Sequence, residues 1–339
     1  MGSWRANIMK LITLEEHIPL KTLNQALAKY PSEDAIRTSG ATTPDLPYCP
    51  DPMLFGNVGA RLADMDKYHI TKQILSAPVS VGHLPKEEAS VVSDANDEMA
   101  EIVKQHPDRF GAFAVLPWSS PDAAAKELER AMTRLGFQGA ILAGRPTGKE
   151  KFLDDELFTP VLEAAEALNA PIYVHPAPPM TSVQKCYYDG LGDQLSARLS
   201  LYGWGWHNEA GIQVLRMILS GAFEKFPKLQ LIAGHWGEMV PFFLSRLDQA
   251  LPQKVTKLKR SITDTFRENI YVTPSGIFDY PQLKFCVEVL GADRILHSVD
   301  FPFISNEGAK PFIENAPITD EEKEMIAYRN AENLFGFKL

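Results

Sequence analysis

The chain has 339 residues, enough for one large domain or two ordinary ones, and its composition is that of a globular protein, with 45% hydrophobic and 23% charged residues. A net charge of −9 argues against nucleic acid as a partner, because phosphate binding relies on an excess of Lys and Arg. No apolar stretch is long enough to span a membrane, and residues 8–14 are too short and too interrupted for a signal peptide.

Residues 1–8 are interpreted as an N-terminal extension, and residues 9–339 as a single domain. The three cysteines, Cys49, Cys186 and Cys286, are far apart and include no CxxC pair. This pattern disfavours a disulfide framework or a thiolate metal site and is typical of a reducing cytoplasmic location.

In chain order, short apolar runs alternate with amphipathic stretches. The runs predict strands at 11–17, 73–78, 111–115, 138–143, 171–175, 229–234, 269–273 and 294–299. The amphipathic stretches predict helices at 88–105, 121–135, 155–169, 208–224, 238–250, 280–290 and 320–335. Three glycines occupy positions typical of helix C-termini: Gly136, Gly221 and Gly291.

Eight strands in alternation with helices, about eight repeats, indicate an α/β fold of the (β/α)₈ TIM-barrel type. No GxGxxG or Walker sequence follows the first strand, which disfavours an open dinucleotide-binding sheet. Long loops are expected after strand 1, at 18–58, and after strand 5, at 176–207. Both follow the carboxyl ends of their strands, where barrel enzymes keep their active sites.

The second long loop carries several aromatic residues, among them Tyr202, Trp204 and Trp206. An aromatic loop over the barrel mouth is favoured as a lid on a flat or apolar ligand, with Trp204 as a candidate substrate contact. The alternative is an exposed decoration or a dimer surface.

Polar residues end four of the predicted strands: His17, His175, His235 and Asp300. Alternation along a strand places Glu15 on the same side as His17 and directs Glu16 to the opposite face. Imidazole together with carboxylate oxygen suits Zn²⁺, Mn²⁺ or Fe²⁺ better than a calcium-type site.

The roles of three histidines are interpreted from their positions in the sequence. His235 is either a further ligand or a base oriented by Glu238. His297 lies inside the last strand and is predicted to be a packed side chain, whereas His207 is open to either a structural or a functional interpretation.

Six segments together resemble the amidohydrolase superfamily, and within it the branch of metal-dependent non-oxidative decarboxylases. That branch includes the γ-resorcylate, 2,3-dihydroxybenzoate and aminocarboxymuconate-semialdehyde decarboxylases. The segments are Leu14-Glu15-Glu16-His17, 61–66, Asn96-Asp97-Glu98, 171–176, Gly234-His235-Trp236-Gly237-Glu238 and Ser298-Val299-Asp300-Phe301-Pro302. The Glu-x-His beginning, in place of the more usual His-x-His, is similar to the dihydroxybenzoate decarboxylases.

The resemblance implies a role for each of these residues. One divalent metal ion, Zn or Mn, would be bound by Glu15, His17, His175 and Asp300. Asp300 would also donate the proton, supported by the neighbouring pair His235 and Glu238. Arg246 would reach the substrate site of a neighbouring subunit, which implies a homodimer or homotetramer.

The expected function is decarboxylation of a small-molecule aromatic carboxylate such as a dihydroxybenzoate, by ring-carbon protonation and CO₂ loss. Such a role requires the pKa of Asp300 to be shifted so that the carboxyl holds a proton near neutrality. The alternative is a mononuclear-metal hydrolase of an ester, lactone or amide. The small residues at the end of the fourth strand, 139–144, disfavour it, since no lysine stands there to bridge a second metal.

Overall fold

The computed structural model describes residues 9–34, 52–77, 80–148 and 150–338, with the backbone alone for residues 52 and 53. The predicted extension 1–8, Cys49 and the middle of the first long loop lie outside the described residues. Among the residues described, no helix has both the length and the apolar character needed to cross a membrane.

Parallel strands form the inner layer of the molecule in the predicted order. The first sheet contains β1 (Ile12–His17), β2 (Lys72–Ser76) and β3 (Phe110–Ala112). The second contains β4 (Ala114–Val115), β5 (Ala140–Ala143), β6 (Ile172–His175), β7 (Leu231–Ala233) and β8 (Ile270–Val272). Almost all of these strand residues are buried, as expected when helices cover a parallel sheet.

Two junctions close the sheets into a barrel. At the first, the Phe113 N–H donates to the Leu75 carbonyl at 2.9 Å, while the next N–H, of Ala114, donates to the Gly139 carbonyl at 2.8 Å. At the second, residues 295–298 bridge β8 to β1, and the Leu14 N–H donates to the His297 carbonyl at 3.0 Å. The predicted (β/α)₈ barrel is confirmed. Its third strand is split into β3 and β4, so β8 is the seventh strand of the barrel, and the eighth, at residues 295–298, is reduced to isolated bridges.

Helices form the outer layer. Those that correspond to predicted stretches are Ala89–Gln105, Pro121–Arg130, Thr159–Ala167, Gly205–Leu219, Val240–Ala250, Tyr280–Leu290, Asp320–Glu324 and Asn330–Phe335. Among those that the sequence pattern did not reveal are Val58–Lys67, Gln253–Thr256, Ile262–Asn269 and Ala309–Glu314. Gly136 and Gly221 adopt left-handed conformations, with φ of 71° and 78°, and each follows a helical segment as predicted.

The two long loops contain short helices and contact each other. The first includes Lys21–Lys29 and Pro52–Gly56, and the second includes Thr181–Tyr187 and Asp193–Ser200. The Asp34 carboxylate accepts hydrogen bonds from the backbone N–H and the hydroxyl of Thr181, at 2.6 and 2.8 Å. The first loop therefore holds the start of the second in place.

Candidate active site

Four side chains at the carboxyl end of the barrel bring one potential ligand atom each to within 4.8 Å of the others: Glu15, His17, His175 and Asp300. His17 Nε2 lies 3.0 Å from an Asp300 oxygen, and His175 Nε2 lies 3.5 Å from Glu15 Oε1. These are the four residues that the sequence resemblance implied as metal ligands, and the fold collects them from β1, β6 and the segment after residue 298.

The backbone of this cluster departs from regular strand geometry. Glu15 and Asp300 have φ values of 62° and 64°, in the left-handed region that side chains other than Gly rarely adopt. The pairing of β1 with β2 also shifts register between Thr13 and Glu16. Glu15 lies at this irregularity, so the local backbone geometry of β1, together with the alternation of its side chains, directs Glu15 and His17 to one site.

Each histidine of the cluster is oriented by a hydrogen bond at Nδ1, the ring nitrogen that points away from the cluster. His175 Nδ1 donates to the Pro176 carbonyl at 2.6 Å, and His17 Nδ1 lies 3.0 Å from the Ser76 hydroxyl. Burial lowers the pKa of His17 to about 4 and holds the pKa of His175 well below its ordinary value. Both rings are therefore neutral at pH 7, which is the form that binds a metal ion through Nε2.

Glu15 is fixed through only one of its two oxygens. Its Oε2 accepts hydrogen bonds from the hydroxyls of Tyr173, at 2.5 Å, and of Ser275. Within the described residues, the buried atom Glu15 Oε1 has no hydrogen-bond partner, and His17 Nε2 faces the carboxyl group of Asp300. Buried polar atoms are costly when unpaired, and a cation between them would satisfy both, so the donor set fits a divalent metal ion.

Glu16 faces away from this cluster, as alternation predicts, and accepts hydrogen bonds from the backbone around Asp300. Its carboxylate accepts the N–H groups of Val299 at 3.1 Å and Phe301 at 3.3 Å, one on each side of Asp300. Gln73 donates to the same carboxylate at 3.4 Å and accepts from the buried guanidinium of Arg61 at 3.1 Å. The sequence pattern gave no sign of this support.

A second group lies beside the four candidate ligands. The backbone from His235 to Met239 has φ values between 48° and 78°, a left-handed run that turns Glu238 back toward His235. The two oxygens of Glu238 are each 2.8 Å from a histidine Nδ1, one of His235 and the other of His207. His207 is the histidine that the sequence left open, and here it shares the carboxylate with His235.

Burial and neighbouring charges set the proton positions in this group. Burial opposes a charge on His235, yet the carboxylates of Glu238 and Glu15 outweigh it and raise the pKa of His235 to about 9. Burial likewise opposes a charge on Glu238, but the charge of His235 and the hydrogen bonds from His207 and His235 hold the pKa of Glu238 below the ordinary value. At neutral pH the two therefore form an imidazolium–carboxylate pair.

Burial shifts the pKa of Asp300 in the metal-free site. Burial raises it to about 7 against the opposing effect of His235, so the metal-free carboxyl is substantially protonated near neutrality. A bound divalent cation would lower this pKa through its charge.

The remaining predicted residues lie further from the cluster or in packed surroundings. Trp204 is 50% exposed, whereas the Trp206 ring lies edge-on to His175 with 6.4 Å between ring centroids. Arg246 is exposed on the helix Val240–Ala250. His297 is fully buried and stacked on Phe278, which agrees with its predicted packing role.

The sequence pattern did not reveal the supporting contacts of Tyr173, Ser275 and Glu16. Tyr173 precedes His175 by two residues on one strand, so alternation could have placed it in the lumen. Nothing in the sequence marks Ser275, whose hydroxyl reaches Glu15 from a loop 260 positions away.

The sequence of the chain is similar to those of known enzymes. The family model described as Amidohydrolase matches residues 56–337. A γ-resorcylate decarboxylase of a Polaromonas species is 34% identical over 337 residues, which cover 96% of this chain and 98% of that protein.

Two solved structures have the same fold over nearly the whole chain. The 5-carboxyvanillate decarboxylase of Sphingomonas paucimobilis matches with a TM-score of 0.85 and 30% identity, over 97% of this chain and 100% of that one. A dihydroxybenzoic acid decarboxylase of a Polaromonas species, solved with bound manganese and the inhibitor 2-nitroresorcinol, matches with a TM-score of 0.81 and 32% identity, over 96% and 97%.

Proposed function

The chain belongs to the amidohydrolase family, and from that premise we propose that it is a metal-dependent carboxy-lyase that releases CO₂ from a hydroxylated aromatic acid such as a dihydroxybenzoate. The observation that carries the proposal is the cluster of four ligand atoms beside the paired His235 and Glu238. The decarboxylases that match nearly the whole chain support it.

Glu15, His17, His175 and Asp300 would hold one divalent ion, and their mixed nitrogen and oxygen ligands suit Mn²⁺ or Zn²⁺. When bound, the ion would stabilise the negative charge on the phenolate and carboxylate oxygens of an ortho-hydroxy acid. Manganese is the ion found in the similar dihydroxybenzoic acid decarboxylase.

In the proposed reaction, Asp300 transfers its proton to the ring carbon that carries the carboxylate. The bond from that carbon to the carboxylate then breaks, its electron pair restores the aromatic ring, and CO₂ leaves. The ionised Asp300 is balanced by the His235 imidazolium, which Glu238 holds in place, and regains a proton from water. Each turnover consumes one proton and releases one CO₂.

We extend the proposal to a homodimer or homotetramer in which Arg246 contacts the substrate of a neighbouring subunit. Arg246 lies on one exposed helix with Phe242 and Phe243, each 58% exposed, and such a surface is typical of a subunit contact. Measuring the molar mass in solution tests the assembly, and a strictly monomeric active enzyme would contradict it.

Hydrolysis of an ester, lactone or amide is the competing function. It is weakened because β5 ends in Ala143 and is followed by Gly144, so no lysine is available at that strand end to bridge two metals.

The test is to supply the protein with Mn²⁺ or Zn²⁺ and incubate it with 2,3- and 2,6-dihydroxybenzoate, salicylate and a muconate-type acid while CO₂ is measured. The same samples are given ester, lactone and amide substrates. We expect CO₂ release from at least one aromatic acid. Metal-bound protein that hydrolyses an ester or lactone but releases no CO₂ would overturn the proposal.

A further inference from the structure

Two side chains, Trp206 and His207, connect the His235–Glu238 pair to the second long loop. The Trp206 indole Nε1 lies 3.0 Å from His207 Nε2, and His207 Nδ1 lies 2.8 Å from Glu238 Oε2. The other Glu238 oxygen is 2.8 Å from His235 Nδ1. The order is therefore Trp206, His207, Glu238, His235, and it connects the aromatic loop to the residues beside the candidate metal ligands.

The direction of each hydrogen bond fixes the proton on His207. An indole N–H can only donate, so His207 Nε2 must accept with its lone pair. A carboxylate can only accept, so His207 Nδ1 must carry the hydrogen. The ring in this arrangement is the neutral Nδ1–H tautomer.

The Tyr202 carbonyl group competes with the Trp206 N–H for His207 Nε2, and the two favour opposite protonation states of that nitrogen. The Tyr202 carbonyl oxygen lies 3.2 Å from the same Nε2 and could accept a hydrogen bond only if Nε2 were protonated. A protonated Nε2 would instead face the N–H of Trp206, placing two donors against each other. Trp206 therefore selects against both the Nε2–H tautomer and the cationic form of His207.

The neutral form matters because the two imidazole rings are close. The centroids of His207 and His235 are 4.4 Å apart, and two cations at that separation in a buried site would repel strongly. With His207 neutral, the positive charge remains on His235. The carboxylate of Glu238, held through both oxygens, is prevented from turning away from His235.

We propose that His207 is a positioning residue for the decarboxylation, a role that rests on the proposed function, and that Trp206 sets its tautomer. Trp206 also packs with Leu201 and Tyr202 in the small hydrophobic cluster of the second loop. Correct seating of that loop is thereby coupled to the orientation of His235 through Glu238.

The test combines a spectroscopic and a kinetic measurement on full-length, metal-loaded protein. Trp206→Phe keeps an aromatic ring and removes the N–H donor, while His207→Gln keeps an amide donor for Glu238 that His207→Ala lacks. Tyr187→Phe is the matched control, because Tyr187 lies on the same loop and is 71% exposed. The tautomer of His207 is read from the ¹⁵N shifts of the imidazole nitrogens in histidine-labelled protein.

We expect His207 to be protonated at Nδ1 alone in the unaltered protein and in Tyr187→Phe, and to lose this selection in Trp206→Phe. We expect kcat to fall roughly tenfold to a hundredfold in His207→Ala, with KM little changed and partial recovery in His207→Gln. A protonated Nε2 in the unaltered protein, or an undiminished kcat in His207→Ala, would overturn the proposal. If no aromatic acid is decarboxylated, the proposed function fails, while the tautomer measurement still decides whether Trp206 controls His207.

Discussion

Glu15 illustrates how the candidate metal ligands depend on residues that bind no metal themselves. Its Oε2 is occupied by the hydroxyls of Tyr173 and Ser275, which leaves Oε1 directed at the cluster. Burial and the nearby Glu15 raise the pKa of Tyr173 well above its ordinary value, so its phenol remains a donor over the working pH range. The orientation of Glu15 on β1 therefore depends on a tyrosine of β6.

Tyr173→Phe should weaken metal binding without disturbing the ligands directly. Loss of the 2.5 Å hydrogen bond frees Glu15 to rotate, and removing an outer-shell partner of this kind typically costs about 10–100-fold in metal affinity. Titration of the metal-stripped protein with Mn²⁺ measures the effect. Tyr271→Phe, in β8, serves as the control because Tyr271 contacts Arg294 through its ring. Equal affinities in the two variants would contradict this role for Tyr173.

The candidate ligands themselves were predictable from the sequence, for a physical reason. A polar residue directly after an apolar strand is conspicuous, and parallel strands bring their carboxyl ends together, so His17, His175 and Asp300 could be grouped without a structure. Glu16 and Ser275 could not be assigned in this way, since their roles depend on which backbone or side chain lies opposite them across the barrel.

At the scale of secondary structure, β1 and the segment that closes the barrel act as a unit. The closing segment is a poor strand, joined to its neighbours by isolated bridges at Ile295 and Ser298. Glu16 compensates by accepting the N–H groups on both sides of Asp300. The left-handed conformation of Asp300 is therefore supported by a side chain of β1.

Glu16→Gln should destabilise the protein although the side chain keeps its shape. Both oxygens of Glu16 accept a backbone N–H, so an amide NH₂ in place of one oxygen sets a donor against a donor, at a cost of about 1–3 kcal/mol. Thermal unfolding measures the loss, with Glu163→Gln on an exposed helix face as the control. A melting temperature equal to that of the control would rule out this supporting role.

The elements were predicted unevenly. Strands and most helices follow from periodicity, but the split at Phe113 and the loss of regular pairing at residues 295–298 arise from contacts between strands that no local pattern encodes. The helix Ile262–Asn269 was missed because it is only eight residues long. Helices of that length are held mainly by tertiary packing.

At the scale of the whole molecule, stability should depend on pH through His235. Its pKa rises from the ordinary 6.5 to about 9 on folding, so the folded state favours the protonated ring. The stabilisation is complete below pH 6.5 and is lost as the pH rises through about 9. Its size is on the order of 3 kcal/mol, from 1.36 kcal/mol per pKa unit.

His235→Asn, which keeps a donor near Nδ1 but does not titrate, tests this dependence. Denaturant unfolding of the metal-free proteins between pH 6 and pH 10 should show the unaltered protein losing its advantage over the variant as the pH rises. A constant difference in unfolding free energy across that range would contradict the assignment of the ion pair to His235 and Glu238.

The proposed reaction requires Asp300 both to bind the metal and to supply the proton to the ring. Asp300→Asn keeps an oxygen ligand but removes the acidic proton, so CO₂ release from a dihydroxybenzoate and metal content are measured on the same preparation of this variant. We predict bound metal and no CO₂ above background. Undiminished CO₂ release by the metal-bound variant would contradict the proposed reaction.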